Sequence, residues 1–145
     1  MKIVLQRVNF AELRIDGKLI SSIEKGLLVF LGIGKNDSTN EIEWLSNKIC
    51  NLRIFAGDNG KMNLSVKDIK GEILLVSQFT LYANTSRGRR PDFIDAAKPE
   101  MAEKLYVEFA EQLAIDGIQP KTGIFGADMK IKSENDGPVT IIIEK

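Results

Sequence analysis

Apolar positions along the chain follow two periods, and the changes between them mark out the elements. Lys2 to Val8 alternates weakly, and Glu12 to Ile15, Asp16-Gly17 and Lys18 to Ile23 read as a hairpin on a type I′ turn, since Asp-Gly tolerates the two positive φ angles such a turn needs. Leu27-Leu28-Val29-Phe30-Leu31-Gly32-Ile33 is apolar throughout, the pattern of a central strand covered on both faces. Ser38 with Glu41 three residues on forms a capping box, and Ile42, Leu45, Ile49 and Leu52 then recur at helical spacing, which predicts a helix over about 39–51. Arg53-Ile54-Phe55 reads as a short strand, Gly57-Asp58-Asn59-Gly60 as a loop, Met62 to Val66 as another strand, and Glu72 to Tyr82 as one long strand. Ala83 to Asp92 has no period and is read as a loop. Pro99 suits the first turn of a second helix, over about 99–116, with Ala102, Leu105, Tyr106, Phe109, Ala110 and Leu113 on its apolar face. Ala127 to Ile131 and Val139 to Ile143 read as two strands joined through Glu134-Asn135-Asp136-Gly137-Pro138. Many strands and two helices without regular βαβ alternation predict one α+β domain over 1–145, a mixed, largely antiparallel, barrel-like sheet packed with the two helices.

Within this pattern the stretch Val76-Ser77-Gln78-Phe79-Thr80-Leu81-Tyr82 is out of keeping. It continues the apolar run Ile73-Leu74-Leu75 yet places the polar side chains of Ser77, Gln78 and Thr80 where a core strand is expected. Burying such a group without a partner costs roughly 1–3 kcal/mol, so these side chains are either paired or line a site that a ligand enters. The loop that follows carries Ser86-Arg87-Gly88-Arg89-Arg90-Pro91. Arginines on loops are usually solvated or ion-paired; the functional alternative is phosphate binding, because guanidinium groups meet phosphate oxygens bidentately and Gly88 lets the backbone come close.

Composition narrows the choices. The chain has 145 residues, 43% apolar and 28% charged, with 20 acidic and 20 basic side chains, the profile of an ordinary globular protein. With no net charge, any nucleic-acid partner is held by a local patch. The single Cys50 forms no intramolecular disulfide and lies beside the first helix's apolar stripe, as a small buried hydrophobe does. Trp44 is read as packing. No leader pattern and no membrane-length apolar run is found, so a cytoplasmic location is expected. The absence of histidine removes Ser-His-Asp and Cys-His chemistry, and with one cysteine the usual zinc sites as well. Gly32-Ile33-Gly34 lacks the third glycine of a dinucleotide fingerprint and is read as a strand end. Neither a cofactor nor a metal is expected.

Two ordered blocks carry a resemblance over essentially the whole chain. Ser77-Gln78-Phe79-Thr80-Leu81-Tyr82 with Arg89-Arg90-Pro91 and Phe93, and Phe125-Gly126-Ala127-Asp128-Met129 through Asn135-Asp136-Gly137-Pro138-Val139-Thr140, resemble the signature blocks of the D-aminoacyl-tRNA deacylases. Val4-Leu5-Gln6-Arg7-Val8 and Gly26 to Gly34 are similar to that family's first blocks, while Asp92 stands where the family often has Ser. The resemblance implies a homodimer that hydrolyses the ester between a D-amino acid, or glycine, and the acceptor end of tRNA, as proofreading in translation. It implies that Ser77, Gln78, Phe79 and Thr80 line the ester. It further implies that Gly137-Pro138, cis in the family, enters from the other subunit and excludes L-amino acids by backbone crowding. Arg7, Arg87, Arg89 and Arg90 are then the expected tRNA contacts. Thr80 as nucleophile would need a base that the sequence does not supply; the resemblance favours a water assisted by the tRNA's own 2′-hydroxyl. Two rival readings stand beside this one: a hydroxyl-nucleophile esterase or amidase on small substrates, and a non-catalytic RNA-binding module.

Overall fold

A computed structural model describes residues 1–57, 59–86 and 88–145; Asp58 of the Gly-rich loop and Arg87 of the arginine loop lie outside the described residues. Strand β1 (Lys2–Ile15) is the spine of the sheet. One edge pairs antiparallel with β3 (Gly26–Gly32) over Lys2 to Val8 and with β2 (Lys18–Ile23) over Ala11 to Ile15. The other edge carries β8 (Lys130–Glu144), from Lys2↔Glu144 to Arg14↔Lys130. The two segments Lys2–Val8 and Glu12–Ile15, predicted apart, are therefore one strand. Their alternation breaks because the register with β8 shifts between Gln6 and Phe10, which leaves Asn9 exposed. The turn to β2 is as predicted, with Asp16 at φ 49° and Gly17 at φ 78°.

On the far side, β3 runs parallel to β6 (Glu72–Ser77), and β6 parallel to β7 (Lys121–Thr122). Among the described residues these strands make a six-stranded mixed sheet, and β4 (Phe55–Ala56) with β5 (Met62–Leu64) a separate ribbon. The sheet curls until β2 approaches β7. Side chains bridge that seam: Ser21 Oγ donates to Thr122 O (2.5 Å), and Lys121 Nζ reaches both Ser22 O (2.7 Å) and the Glu72 carboxylate (2.7 Å).

The continuous apolar character of β3 and β6 follows from burial on both faces. Leu27, Val29, Leu31, Ile73 and Leu75 face the helices, whereas Leu28, Leu74 and Val76 fill the barrel with Val8, Ala11, Leu13 and Ile23. Helix α1 (Ile42–Asn51) and helix α2 (Pro99–Ile115) cover the first set through Leu45, Ile49, Leu105, Phe109 and Leu113. The capping box forms as predicted, with Glu41 accepting from Ser38 N at 3.0 Å, although Thr39–Glu41 is a 3-10 turn before the α-helix proper. Ser46 Oγ donates to Asp116 Oδ2 (2.5 Å) and ties α1 to the end of α2. Cys50 is fully buried, and burial pushes its thiol up to about 11, so it stays protonated and inert at neutral pH. Trp44 is 43% exposed on the outer face of α1, with the ammonium groups of Lys48 and Lys145 5.6 and 5.2 Å from its ring centroid.

Two further elements differ from expectation. The strand predicted to run from Glu72 to Tyr82 ends at Ser77, because its partner β3 ends at Gly32 and the last pair of the ladder is Leu31↔Ser77. The two strands predicted around Glu134–Pro138 are one strand, β8, interrupted by an excursion. Phe109, with no exposed surface between α2 and the sheet, is the test of helix docking: Phe109→Ala is expected to lower unfolding stability by about 3–5 kcal/mol in urea titration with the slope retained.

Candidate functional site

Where β3 stops, the chain leaves the sheet. Gln78 makes one last ladder bond, its N–H donating to Leu31 O at 2.8 Å, and then takes φ −145°, ψ 80° into a 3-10 turn over Phe79–Tyr82. Leu81 N–H donates to Gln78 O (3.3 Å) and Ala83 N–H to Thr80 O (3.0 Å). Ser77, Gln78, Phe79 and Thr80 thus sit at the carboxyl ends of two parallel strands. Ser77 and Gln78 are half-buried, and Phe79 and Thr80 are exposed. Gln78 Nε2 donates to Thr80 Oγ1, and Phe79 meets the edge of Phe93 with centroids 5.0 Å apart.

Beside this turn lies a cavity of about 540 Å³. Ser77, Gln78 and Phe79 form one part of its wall, Phe93 and Ala96 another, and Phe125 to Met129 a third. The lining is chiefly apolar, with few polar side chains, the usual character of a site for a flat organic group. Phe125 is held 6.0 Å from Tyr106, whose hydroxyl donates to Leu75 O at 2.8 Å and so fixes α2 to β6 two residues before Ser77. Burial pushes the Tyr106 phenol up to about 12, so it remains a donor. The sequence singled out Phe125 to Met129 as a block but assigned it no place; it is wall. Ala96 and Ala97 carried no signal at all, because small residues reveal a cavity only when their neighbours are known.

The other candidate pair lies elsewhere. On β8 the four residues from Asp136 to Val139 stand opposite the single residue Arg7 of β1, between the pairs Val8↔Asn135 and Gln6↔Thr140. The excess chain loops outward, and Val139 N–H closes its neck on Asn135 Oδ1 at 3.1 Å. Gly137 and Pro138 are exposed at its tip, joined by a cis peptide bond. Gly137 has φ 121°, and a Cβ there would stand 2.8 Å from Arg7 Nη2. Among the described residues that line the cavity, neither Gly137 nor Pro138 appears.

Arg7 lies under this excursion. Its side chain is 11% exposed, its Nε contacts both Asp136 Oδ2 (3.0 Å) and Asp136 O (3.2 Å), and its Nη1 donates to Ile54 O. Arg89 and Arg90 are exposed on a loop closed by paired bonds between Asn84 and Asp92 (2.9 and 3.1 Å). Among the described residues, no cluster of three or more His, Cys, Asp or Glu side chains is placed to hold a metal ion, and no helix is long and apolar enough to cross a membrane.

A curled mixed sheet thus carries a hydroxyl- and amide-bearing turn beside an apolar cavity, and no histidine takes part in it. Comparison with known proteins gives the family. The family model described as D-Tyr-tRNA(Tyr) deacylase matches residues 4–144. D-aminoacyl-tRNA deacylase of Fusobacterium nucleatum is 55% identical over 99% of this chain and 95% of its own length, and that of Flavobacterium psychrophilum 57% identical over 99% and 97%. A solved structure described as c-Myc DNA unwinding element binding protein superimposes with a TM-score of 0.95 at 44% identity, covering 100% of this chain and 99% of that one. Another, of a probable eukaryotic D-amino acid tRNA deacylase, shares the fold at a TM-score of 0.86 and 15% identity, covering 98% and 97%. The chain belongs to the D-aminoacyl-tRNA deacylase family and is a hydrolase.

The contacts of Arg7 give a test of its place. Arg7→Ala is expected to cost about 2 kcal/mol of stability, since it strips charge-assisted bonds from Asp136 and Ile54, while the salt dependence of tRNA binding stays as in the parent protein.

Proposed function

We propose that the protein frees D-amino acids, and glycine, from the acceptor end of tRNA while leaving L-aminoacyl-tRNA intact, and that each complete site joins the Ser77–Thr80 turn of one chain to the Gly137-Pro138 excursion of a second. The observation that carries this reading is the separation of the two halves: the cavity takes its wall from Ser77, Gln78 and Phe79, whereas Gly137 and Pro138 project, exposed, from another part of the same chain. The outer edge of β8 supports a second copy. Among the described residues β8 pairs only with β1, and Ile142 on it is 68% exposed, so a long strand edge is left to be covered.

Chirality is sorted by exclusion. A backbone wall held by Arg7 and Asn135 stands where an L side chain would project. Because no pocket is fitted to a D side chain, many are accepted, and glycine, which has none, passes. The apolar cavity takes the flat base and sugar of the terminal nucleoside, and Arg89 and Arg90 meet backbone phosphates, which carry no base information.

The chemistry is positioning and oxyanion stabilisation. An aminoacyl ester is already activated, and its hydrolysis needs an oriented water and donors for the developing negative charge. Gln78 N–H is engaged by Leu31 O, so the donors are the amides of Phe79 and Thr80, the first two of the 3-10 turn, which have no partner three residues back within that turn. Thr80 Oγ1 accepts from the Gln78 amide, a contact that does not remove its proton. The 2′-hydroxyl of the tRNA assists the water instead.

Incubation of the protein with D-tyrosyl-, glycyl- and L-tyrosyl-tRNA and with D-tyrosine methyl ester is expected to release amino acid from the first two only. Cleavage of the methyl ester would favour a hydroxyl nucleophile, and intact D-tyrosyl-tRNA a binding module. Thr80→Ala is expected to keep turnover within about tenfold, whereas a tRNA ending in 2′-deoxyadenosine loses it by about 10²-fold or more; the reverse order would assign the nucleophile to Thr80. Neutralising Arg89 and Arg90 together is expected to reduce the slope of log affinity against log salt by about 1–2, read from tRNA binding at several ionic strengths.

A further inference from the structure

The catalytic turn is seated on a device at the end of β3 that its own residues do not supply. Gly32 leaves room for the turn's backbone: a Cβ there would be 3.1 Å from Gln78 O and 3.0 Å from Leu81 Cβ. Gly34 leaves room for the Tyr82 ring, which a Cβ would meet at 2.7 Å. The ring is thereby laid flat along the strand end, with Lys2 Nζ 5.2 Å from its centroid. Its hydroxyl donates to Asp37 Oδ2 at 3.0 Å. That same carboxylate oxygen accepts from Gly34 N–H (2.7 Å) and lies 2.9 Å from the Met1 ammonium, with the Asp37 side chain only 14% exposed. The loop carrying Asp37 is fixed in turn, its N–H donating to Gly34 O at 3.1 Å.

We infer that Tyr82 and Asp37 are positioning residues of the deacylase reaction: the Tyr82–Asp37 bond clamps the last residue of the 3-10 turn and so sets where the Phe79 and Thr80 amides point. The inference rests on the reading of Ser77–Thr80 as the site. Only Phe79, Thr80 and Leu81 separate the free end of the sheet at Gln78 from Tyr82, so the turn is held at both ends, by Leu31 O at the first and by Asp37 at the second. With one end released, the turn is free to carry its amides away from the position an oxyanion needs. Burial first, and charge after it, keeps the second anchor in its donating form. Burial and the neighbouring Asp37 carboxylate both push the Tyr82 phenol well above its ordinary value, so it stays protonated throughout the working range. The charged groups facing it are Asp37, Glu144 and the Lys2 ammonium.

The test compares Tyr82→Phe, which keeps the ring over Gly34 and removes only the hydroxyl, with Ser46→Ala, which removes a buried bond between α1 and the end of α2. Asp37→Asn serves as a second variant of the clamp. In single-turnover hydrolysis of D-tyrosyl-tRNA, Tyr82→Phe and Asp37→Asn are expected to slow the chemical step about five- to tenfold, with half-saturation changed less than twofold, while Ser46→Ala lowers the melting temperature and keeps the parent rate. Parent rates in Tyr82→Phe, or equal slowing in Ser46→Ala, would overturn the inference. A fluorine label on the Phe79 ring reads the turn without substrate. Its resonance is expected to shift and broaden in Tyr82→Phe and not in Ser46→Ala, and an unmoved resonance in Tyr82→Phe overturns the clamp whatever the activity. If the parent protein leaves D-tyrosyl-tRNA intact, the reading of the site falls and the catalytic role with it, and the fluorine signal still decides whether the clamp exists.

Discussion

The parallel pairing of β3 with β6 and the point at which it stops govern the rest of the molecule. Both strands are buried on both faces, so their ladder is the most protected part of the sheet and the least free to move. At Leu31↔Ser77 that ladder ends, and every backbone group beyond it needs another partner. A tight 3-10 turn supplies partners for some, with Leu81 N–H on Gln78 O and Ala83 N–H on Thr80 O. The turn and the cavity beside it therefore lie at the carboxyl ends of adjacent parallel strands, where the ladder gives way to groups that still want a hydrogen bond.

A second consequence of the same sheet is the asymmetry of β1. One edge is shared by β2 and β3, and the other is given wholly to β8, which must match a strand that changes partner halfway along. The mismatch is absorbed opposite Arg7, and the surplus residues of β8 become the Gly-Pro excursion. Arg7 is the reason that surplus is ordered. Its guanidinium spans from the Asp136 backbone and carboxylate to Ile54 O, a fork that lysine cannot reproduce. Its position on β1 thus commits it to the excursion, while Arg89 and Arg90 stand exposed on a loop.

The chemistry fits what the chain lacks. Without histidine the protein has no side chain that ordinarily exchanges protons near neutral pH, and burial above all pushes its thiol and both phenols further from titration. The proposed mechanism needs no such group, since it rests on fixed donors, an excluded face and a substrate that brings its own hydroxyl.

Local pattern determined much of this by itself. The hairpin at Asp16-Gly17, the capping box at Ser38, the apolar stripe of α2 and the doubly buried β3 were legible because each is fixed by neighbours within a few residues. The family blocks around Ser77–Thr80 and Gly137-Pro138 were legible as sequence, and the missing histidine limited what they can do. Three things required the tertiary structure. That Glu72–Tyr82 breaks at Ser77 depends on the length of β3, whose Leu31 is the last partner in the ladder and lies far back in the chain, and apolar pattern cannot report where a partner runs out. That Glu134–Pro138 is an excursion within one strand, and no turn between two, depends on β1 continuing past it. That Gly32 and Gly34 end a strand was visible, but that they make room for Gln78, Leu81 and Tyr82 was not, since close approach is a property of two segments and neither sequence records the other. Sequence wrote the pieces of the site; long-range pairing decided which way each of them faces.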